Sequence, residues 1–265
     1  MNTVIEAALE AGETVMEIYN KDFDVEYKED DSPLTIADQH ANQLITDVLN
    51  RAFPDIPVLS EEGQPLSYEE RAAWNTFFLV DPLDGTKEFI KKNGEFTVNI
   101  ARVENGRPVF GVIYAPALDL LYIGDQEKGA VKVENAAALK KDTSDWYHAG
   151  VKLPLSSDFE DTIRVIASRS HMSKETKEFI DQLKSTGEQV ETVSTGSSLK
   201  LCLIAEGNAQ FYPRFAPTME WDTGAGQAIV EAAGGSVRIA GTDETLNYNK
   251  KDLHNPWFLA ETGEE

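Results

Sequence analysis

Residues 77–90, FFLVDPLDGTKEFI, fix the reading of the fold. Phe77-Phe78-Leu79-Val80 is a short apolar run ended by Asp81-Pro82, the pattern of a buried strand entering a turn. The proline sets its own φ and keeps Asp81 extended, while Gly85 lets the main chain turn sharply, so Asp81 and Asp84 project from the end of one strand. Two carboxylates that close repel each other, and a divalent cation removes that penalty while preferring oxygen ligands. The segment Gly85 to Ile90 predicts the first turn of a helix, whose free N–H groups form an anion site beside the carboxylates. One hexapeptide, DPLDGT, therefore predicts metal and phosphate together.

Upstream of this stretch the spacing predicts two amphipathic helices. Val4, Ile5, Ala8, Leu9, Val15, Met16 and Tyr19 recur near helical period within the first 20 residues. After the break at Asp31-Ser32-Pro33, residues 38–53 place Ala41, Leu44, Ile45, Val48 and Leu49 on one face. Downstream, FTVNIARVE and PVFGVIYAPALDLLYIGD read as two strand-like runs, joined by the hairpin signal Asn105-Gly106. Residues 134–161 are polar and weakly periodic and predict a surface excursion between two lobes, 1–140 and 160–265. The second lobe alternates strand and helix: TIRVIASRS, SKETKEFIDQLKSTG, EQVETVST, GSSLKLCLIAEG, AQFYPRF, WDTGAGQAIVEAAGG and SVRIA. That order predicts an α/β fold.

The chain has 265 residues, a formal charge of −22 and 41% hydrophobic residues. It is long enough to bury a sizeable core. The charge repels the phosphate backbone of nucleic acid polymers and anionic membranes, so the expected partner is a small molecule; an anionic one needs cations to screen the carboxylates around it. No apolar run approaches the roughly 20 residues of a transmembrane segment, and the acidic first 20 residues are unlike a signal peptide. The expected location is the cytoplasm, with peripheral attachment to the cytoplasmic face of the inner membrane left open. Cys202, the single cysteine, excludes an intrachain disulfide and reads as a small core residue. Oligomeric state is not legible in these features.

Glu61 and Glu62 in LSEEG, Asp81 and Asp84 in DPLDGT, and Asp222 in WDTGAG form the acidic constellation. Taken alone, Glu61-Glu62 reads as a solvated charge pair and Asp222 as a helix N-cap. Taken together and in this order, the three motifs resemble the inositol monophosphatase family, and DPLDGTKEFIKKNGEFTVNIA is similar to its bisphosphate nucleotidase branch. SPLTIAD, PVLSEE, GVIYAPA, SRSH, GSSLK and AEGNAQFYPRF extend the likeness nearly end to end.

The resemblance implies a layered α/β/α/β/α sandwich of the inositol monophosphatase and fructose-1,6-bisphosphatase type, with the site in a cleft between halves. It implies a Mg2+-dependent phosphomonoesterase that removes the 3′-phosphate of 3′-phosphoadenosine 5′-phosphate, with the sulfated nucleotide as a further substrate, in sulfur assimilation. Lithium sensitivity is expected with it. Glu61, Asp81 and the Leu83 carbonyl are expected to hold one magnesium, and Asp81, Asp84 and Asp222 a second. A third, looser ion is expected near Glu61 and Asp38. Thr86 with Asp38 or Glu61 is expected to orient and deprotonate the attacking water, as a hydroxyl–carboxylate pair can relay a proton.

On the substrate side, Gly85 and Thr86 would accompany the metal ligands Glu61, Leu83, Asp84 and Asp222. Ser197, Ser198 and Lys200 in GSSLK form a candidate cradle for a phosphate or ribose, with an ordinary Ser cap as the plain alternative. His171 is a weaker candidate for base or phosphate contact. Arg214 in YPRF stands where relatives selective for inositol phosphates place an acidic residue, and a guanidinium favours a second phosphate. Glu220, before Trp221, departs from the apolar residue common there. The competing readings are an inositol or sugar phosphatase using the same metals, and a non-catalytic acidic metal- or nucleotide-binding module.

Overall fold

The computed structural model describes residues 1–21, 25–27, 33–140, 145–155, 162–167 and 172–263. Helix α1 (Asn2–Tyr19) and helix α2 (Ile36–Ala52) flank a short ribbon of β1 (Val25–Tyr27) and β2 (Pro33–Thr35). A seven-stranded sheet follows, in sequential order: β3 (Val58–Ser60), β4 (Thr76–Asp84), β5 (Thr97–Glu104), β6 (Arg107–Ala115), β7 (Leu120–Asp125), β8 (Gly129–Glu134) and β9 (Val151–Lys152). Four short helices sit between its strands: α3 (Tyr68–Arg71), α4 (Thr86–Ile90), α5 (Ala136–Leu139) and α6 (Trp146–Ala149).

The remaining elements are β10 (Thr162–Ile166), α7 (Lys174–Ser185), β11 (Gln189–Val193), α8 (Leu199–Ala205), β12 (Phe211–Arg214), α9 (Glu220–Ala232), β13 (Ser236–Ile239) and β14 (Phe258–Glu261). They build a five-stranded sheet of order β11-β10-β12-β14-β13, parallel around β10 and antiparallel around β14.

Phe77 to Val80 is continuously apolar because β4 is covered on both faces. Phe78 and Val80 pack with Ala8, Val15, Ala41 and Ile45 of α1 and α2. Phe77 and Leu79 pack with Leu201 of α8 and Ala225 and Ile229 of α9. Full burial of each such side chain stabilises by about 1.5–3 kcal/mol relative to exposure. A third cluster, with Val165 and Ile180, seats α7 on the far face of the second sheet. The layers run helix pair, seven-stranded sheet, α8 and α9, five-stranded sheet, α7, which is the expected α/β/α/β/α sandwich.

Three local expectations need correction. Strand β4 does not stop at Asp81-Pro82 but continues to Asp84 through a bulge: Asp81 pairs with Asn99 and Asp84 with Thr97, so Pro82 and Leu83 together oppose Val98. A bulge leaves one residue outside the ladder, which is how a strand accommodates proline. The run from Pro108 to Asp125 is two strands, β6 and β7, turning through residues 116–119 with Asp119 at φ 51°. The stretch 134–161 is more than a surface excursion, because β9 pairs with β8 and Trp146 is buried at 2% exposure. The hairpin signal stands: Asn105 and Gly106 have φ 50° and 76°, as a type I′ turn demands.

Helix α9 lies directly on the first sheet because Gly124 leaves it room. A Cβ there would stand 2.5 Å from Ile229 Cα and 2.7 Å from Ala228 O. This close approach carries the first turn of α9 to the end of β4.

Candidate active site

Residues three apart on a regular strand face opposite sides of the sheet. The bulge at Pro82-Leu83 cancels that alternation, so Asp81 and Asp84 both point to the side covered by α8 and α9. Asp222, third residue of α9, accepts the Met219 N–H on Oδ2 at 2.9 Å, which fixes its carboxylate at the helix start. Glu61 follows β3, and its N–H donates to Val80 O at 3.1 Å. One carboxylate oxygen each from Glu61, Asp81 and Asp222 lies within 4.8 Å of the others.

Crowding of like charge away from water raises the carboxyl pKa of Asp81 and of Asp222. Burial, then the charges of Glu61, Asp84, Asp222 and Asp38, hold the Asp81 carboxyl well above the usual carboxylate range. Burial, then Asp84, pushes Asp222 up to about 7, against the lowering effects of the Met219 N–H and Arg214. A divalent ion would reverse both effects, and an all-oxygen donor set suits a hard cation. The residues present therefore fit a metal of that class.

Asp38 is buried at the start of α2. Its Oδ2 accepts the Thr35 N–H at 2.8 Å and the Thr35 hydroxyl at 2.7 Å, leaving Oδ1 to accept Thr86 Oγ1 at 3.2 Å. Thr86 Oγ1 also lies 3.3 Å from the Leu83 carbonyl. Gly85 caps the five-residue α4 with φ 91°, a left-handed conformation that a side chain disfavours, and a Cβ there would lie 3.2 Å from Ser197 Cβ.

Ser197 and Ser198 line the cleft that Lys200 and Arg214 also border, with their hydroxyls turned to a neighbouring carboxylate. Those hydroxyls lie 2.7 Å and 2.6 Å from Asp84 Oδ2. Asp84 itself falls outside the trio that converges within 4.8 Å, although its charge acts on both Asp81 and Asp222. Lys200 and Arg214 line a cleft of about 180 Å3 together with Asp84, Gly85 and Asp222. Lys200 Nζ donates to Ser197 O at 3.1 Å and Arg214 Nη2 to Pro217 O at 3.2 Å. Both residues also line a neighbouring pocket with Met172, Tyr212 and Phe215. His171 lies outside the described residues.

Two residues of the site were not anticipated. Asn99 Nδ2 donates to Ser198 Oγ at 2.8 Å, and Thr97 Oγ1 lies 2.8 Å from Ser197 Oγ, both from the buried strand β5. The available signal was the pair of polar residues two apart in the otherwise apolar FTVNIA, which a buried strand admits only with partners.

A family model described as the inositol monophosphatase family matches residues 1–262. The chain belongs to the inositol monophosphatase family. It is 46% identical to the 3′(2′),5′-bisphosphate nucleotidase CysQ of Salmonella typhimurium over 97% of this chain and 98% of that protein. The Escherichia coli K12 protein of the same name is also 46% identical, with the same coverage. Among solved structures, CysQ from Bacteroides thetaiotaomicron, a bacterial member of this family, superposes with a TM-score of 0.89 at 49% identity, covering 99% of this chain and 97% of that one. Inositol monophosphatase family members are metal-dependent, and the carboxylate trio lies where LSEEG, DPLDGT and WDTGAG meet. Among the described residues no helix is long and apolar enough to cross a membrane.

Proposed function

We propose that this chain is a magnesium-dependent phosphomonoesterase that hydrolyses the 3′-phosphate of 3′-phosphoadenosine 5′-phosphate, yielding AMP and phosphate, and acts on the sulfated nucleotide at the same site. The observation that carries this reading is the convergence of Glu61 and Asp81 with Asp222, which itself lines a cleft whose wall also presents Lys200 and Arg214. Near-full-length likeness to the nucleotidases named above supports the substrate class.

Glu61, Asp81 and the Leu83 carbonyl would hold one ion, Asp81, Asp84 and Asp222 a second, and Glu61 with Asp38 a third. Bound magnesium supplies Lewis acidity, acidifying water and neutralising charge on the phosphoryl and leaving oxygens. The chain's own residues orient the reactants and move the proton. Thr86 Oγ1 donates to Asp38 Oδ1, so the hydroxyl can accept a proton from water as its own passes to the carboxylate. Asp38 receives it on Oδ1, the oxygen that Thr86 contacts, while Thr35 holds the carboxylate in place through Oδ2. Arg214 and Lys200 meet the phosphate that is not hydrolysed, which a mononucleotide or inositol monophosphate lacks.

The test is phosphate release from 3′-phosphoadenosine 5′-phosphate, its sulfated analogue and inositol 1-phosphate, each with Mg2+ and with EDTA. Mg2+-dependent turnover favouring the bisphosphate is expected. Preference for inositol 1-phosphate would replace this reading with that of an inositol phosphatase, and no turnover on any substrate would replace it with a binding module.

A further inference from the structure

Glu220 stands where an apolar residue was expected, yet it is fully buried, two positions before Asp222. Its Oε2 accepts the Asn249 N–H at 2.6 Å, and its Oε1 accepts the Lys250 N–H at 3.0 Å and Lys250 Nζ at 2.6 Å. The same loop is held from the other side by Arg71, which is 2% exposed. Arg71 Nη1 donates to Asn249 Oδ1 and to Lys250 O, each at 2.7 Å, and Nη2 donates to Lys251 O at 3.1 Å. Asn249 Nδ2 returns a bond to Arg71 O at 2.8 Å.

The two ends of this network are informative. Arg71 closes α3, in the segment that leaves Glu61, and Glu220 opens α9, the helix that presents Asp222. Glu61 and Asp222, both in the converging trio, thus come from distant parts of the chain that are bolted together through residues 249–251. An apolar residue at position 220 could fill the space. It could not accept the two backbone N–H groups and the ammonium, and the loop would lose its tie to α9.

We infer that Glu220, Asn249 and Arg71 form a positioning unit that sets Asp222 against Glu61, so that divalent-ion affinity depends on side chains that never touch the ion. This rests on the reading that Glu61, Asp81 and Asp222 hold such an ion. Outer groups that orient metal ligands change affinity by about 10–100-fold when lost, and the unit acts through the backbone of α9, so about tenfold is expected.

The experiment measures Mn2+ binding to the metal-free full chain by electron paramagnetic resonance of the free ion, beside thermal melts. Asn249→Gly is the cleanest variant: Asn249 has φ 66°, which glycine adopts freely, and the backbone N–H to Glu220 survives while both side-chain bonds to Arg71 go. Asn249→Gly and Glu220→Gln should each weaken Mn2+ about tenfold, and the double variant should weaken it little further, since both cut one linkage. An Mn2+ affinity for Asn249→Gly within about twofold of the parent overturns the inference, whatever the melting temperature does, because a merely structural clamp lowers stability and leaves the folded site alone. Should Glu220→Gln not fold, Asn249→Gly and Arg71→Lys decide by the same criterion. Absence of Mn2+ binding by the parent chain would instead remove the metal-site reading, and the inference with it.

Discussion

Ser198 Oγ stands 2.6 Å from Asp84 Oδ2 while accepting the Asn99 amide at 2.8 Å. The Ser198 hydroxyl also lies 3.0 Å from the Asp222 carbonyl, and the shorter contact to Asp84 is the stronger claim on its one proton. Ser197 adds a second donor at 2.7 Å. Two hydroxyls on one oxygen fix the orientation of the Asp84 carboxylate beside the convergent trio.

Removing this support should separate orientation from charge. Ser198→Ala leaves the buried Asn99 amide without its partner, costing about 1–3 kcal/mol in stability, and should lower turnover about 10–100-fold. Asp84→Asn keeps the shape but supplies a poor hard-metal ligand, and turnover should fall by orders of magnitude with little loss of stability. Steady-state kinetics at saturating Mg2+ and urea titration check both. Near-parental turnover in Asp84→Asn would remove Asp84 from the reaction.

Asp222 gives a pH dependence of definite sign. Its pKa rises from 3.8 to about 7 in the metal-free fold, chiefly by burial, and Asp81 shifts in the same direction. Between those values the folded chain binds more protons than the unfolded one, so metal-free stability falls as pH rises through that window. Mg2+ competes with the same protons, so its affinity should climb as pH rises toward 7 and level off above. Calorimetry at pH 6 in buffers of different ionisation enthalpy should show protons released on Mg2+ binding, and melts of the metal-free protein should drop from pH 5.5 to 8. A proton count of zero, with flat melts, contradicts the assignment.

The site was readable where its chemistry is local and hidden where it depends on pairing between distant segments. DPLDGT displayed both carboxylates and the glycine turn, yet the bulge that faces Asp81 and Asp84 the same way depends on Val98 across the ladder, which no property of the hexapeptide reveals. GSSLK advertised two hydroxyls at a helix start, but their acceptor is Asp84, more than a hundred residues earlier. The β6–β7 turn was missed because Ala117 and Leu118 lack turn chemistry, with the left-handed residue supplied by Asp119. Glu220 stood out only as a departure from an apolar position, and its link to Arg71 depends on the 249–251 loop that both residues hold.

Gly124 should tolerate no side chain. Its ideal Cβ would stand 2.5 Å from Ile229 Cα, a backbone atom in mid-helix that cannot swing aside. Gly124→Ala therefore pushes α9 off the sheet, destabilising by about 1–3 kcal/mol. Because α9 also presents Asp222, Mg2+ affinity should weaken along with stability. Urea midpoints and Mg2+ titration report the two effects, and a parental midpoint would show that the helix can shift without cost.

Arg214 carries the choice between bisphosphate and monophosphate substrates. The chain bears a formal charge of −22, so a second phosphate outside the carboxylate cluster needs a local cation. Arg214 lines the cleft with Asp84 and Asp222, and its one side-chain hydrogen bond among the described residues, from Nη2 to Pro217 O, leaves Nη1 to meet an anion. A charge-assisted hydrogen bond contributes about 1.5–3 kcal/mol, or roughly one to two decades in kcat/KM. Arg214→Ala should thus lower kcat/KM for 3′-phosphoadenosine 5′-phosphate by about 10–100-fold while changing hydrolysis of 3′-AMP far less. Arg214 has a second route of action, since it also lowers the Asp222 pKa, an influence that ranks below burial, Asp84, the Met219 N–H and Glu61. That route weakens the metal site for every substrate alike. Equal losses on both substrates, recovered at higher pH or Mg2+, would assign Arg214 to the metal cluster; a loss confined to the bisphosphate, unchanged by either, assigns it to the second phosphate.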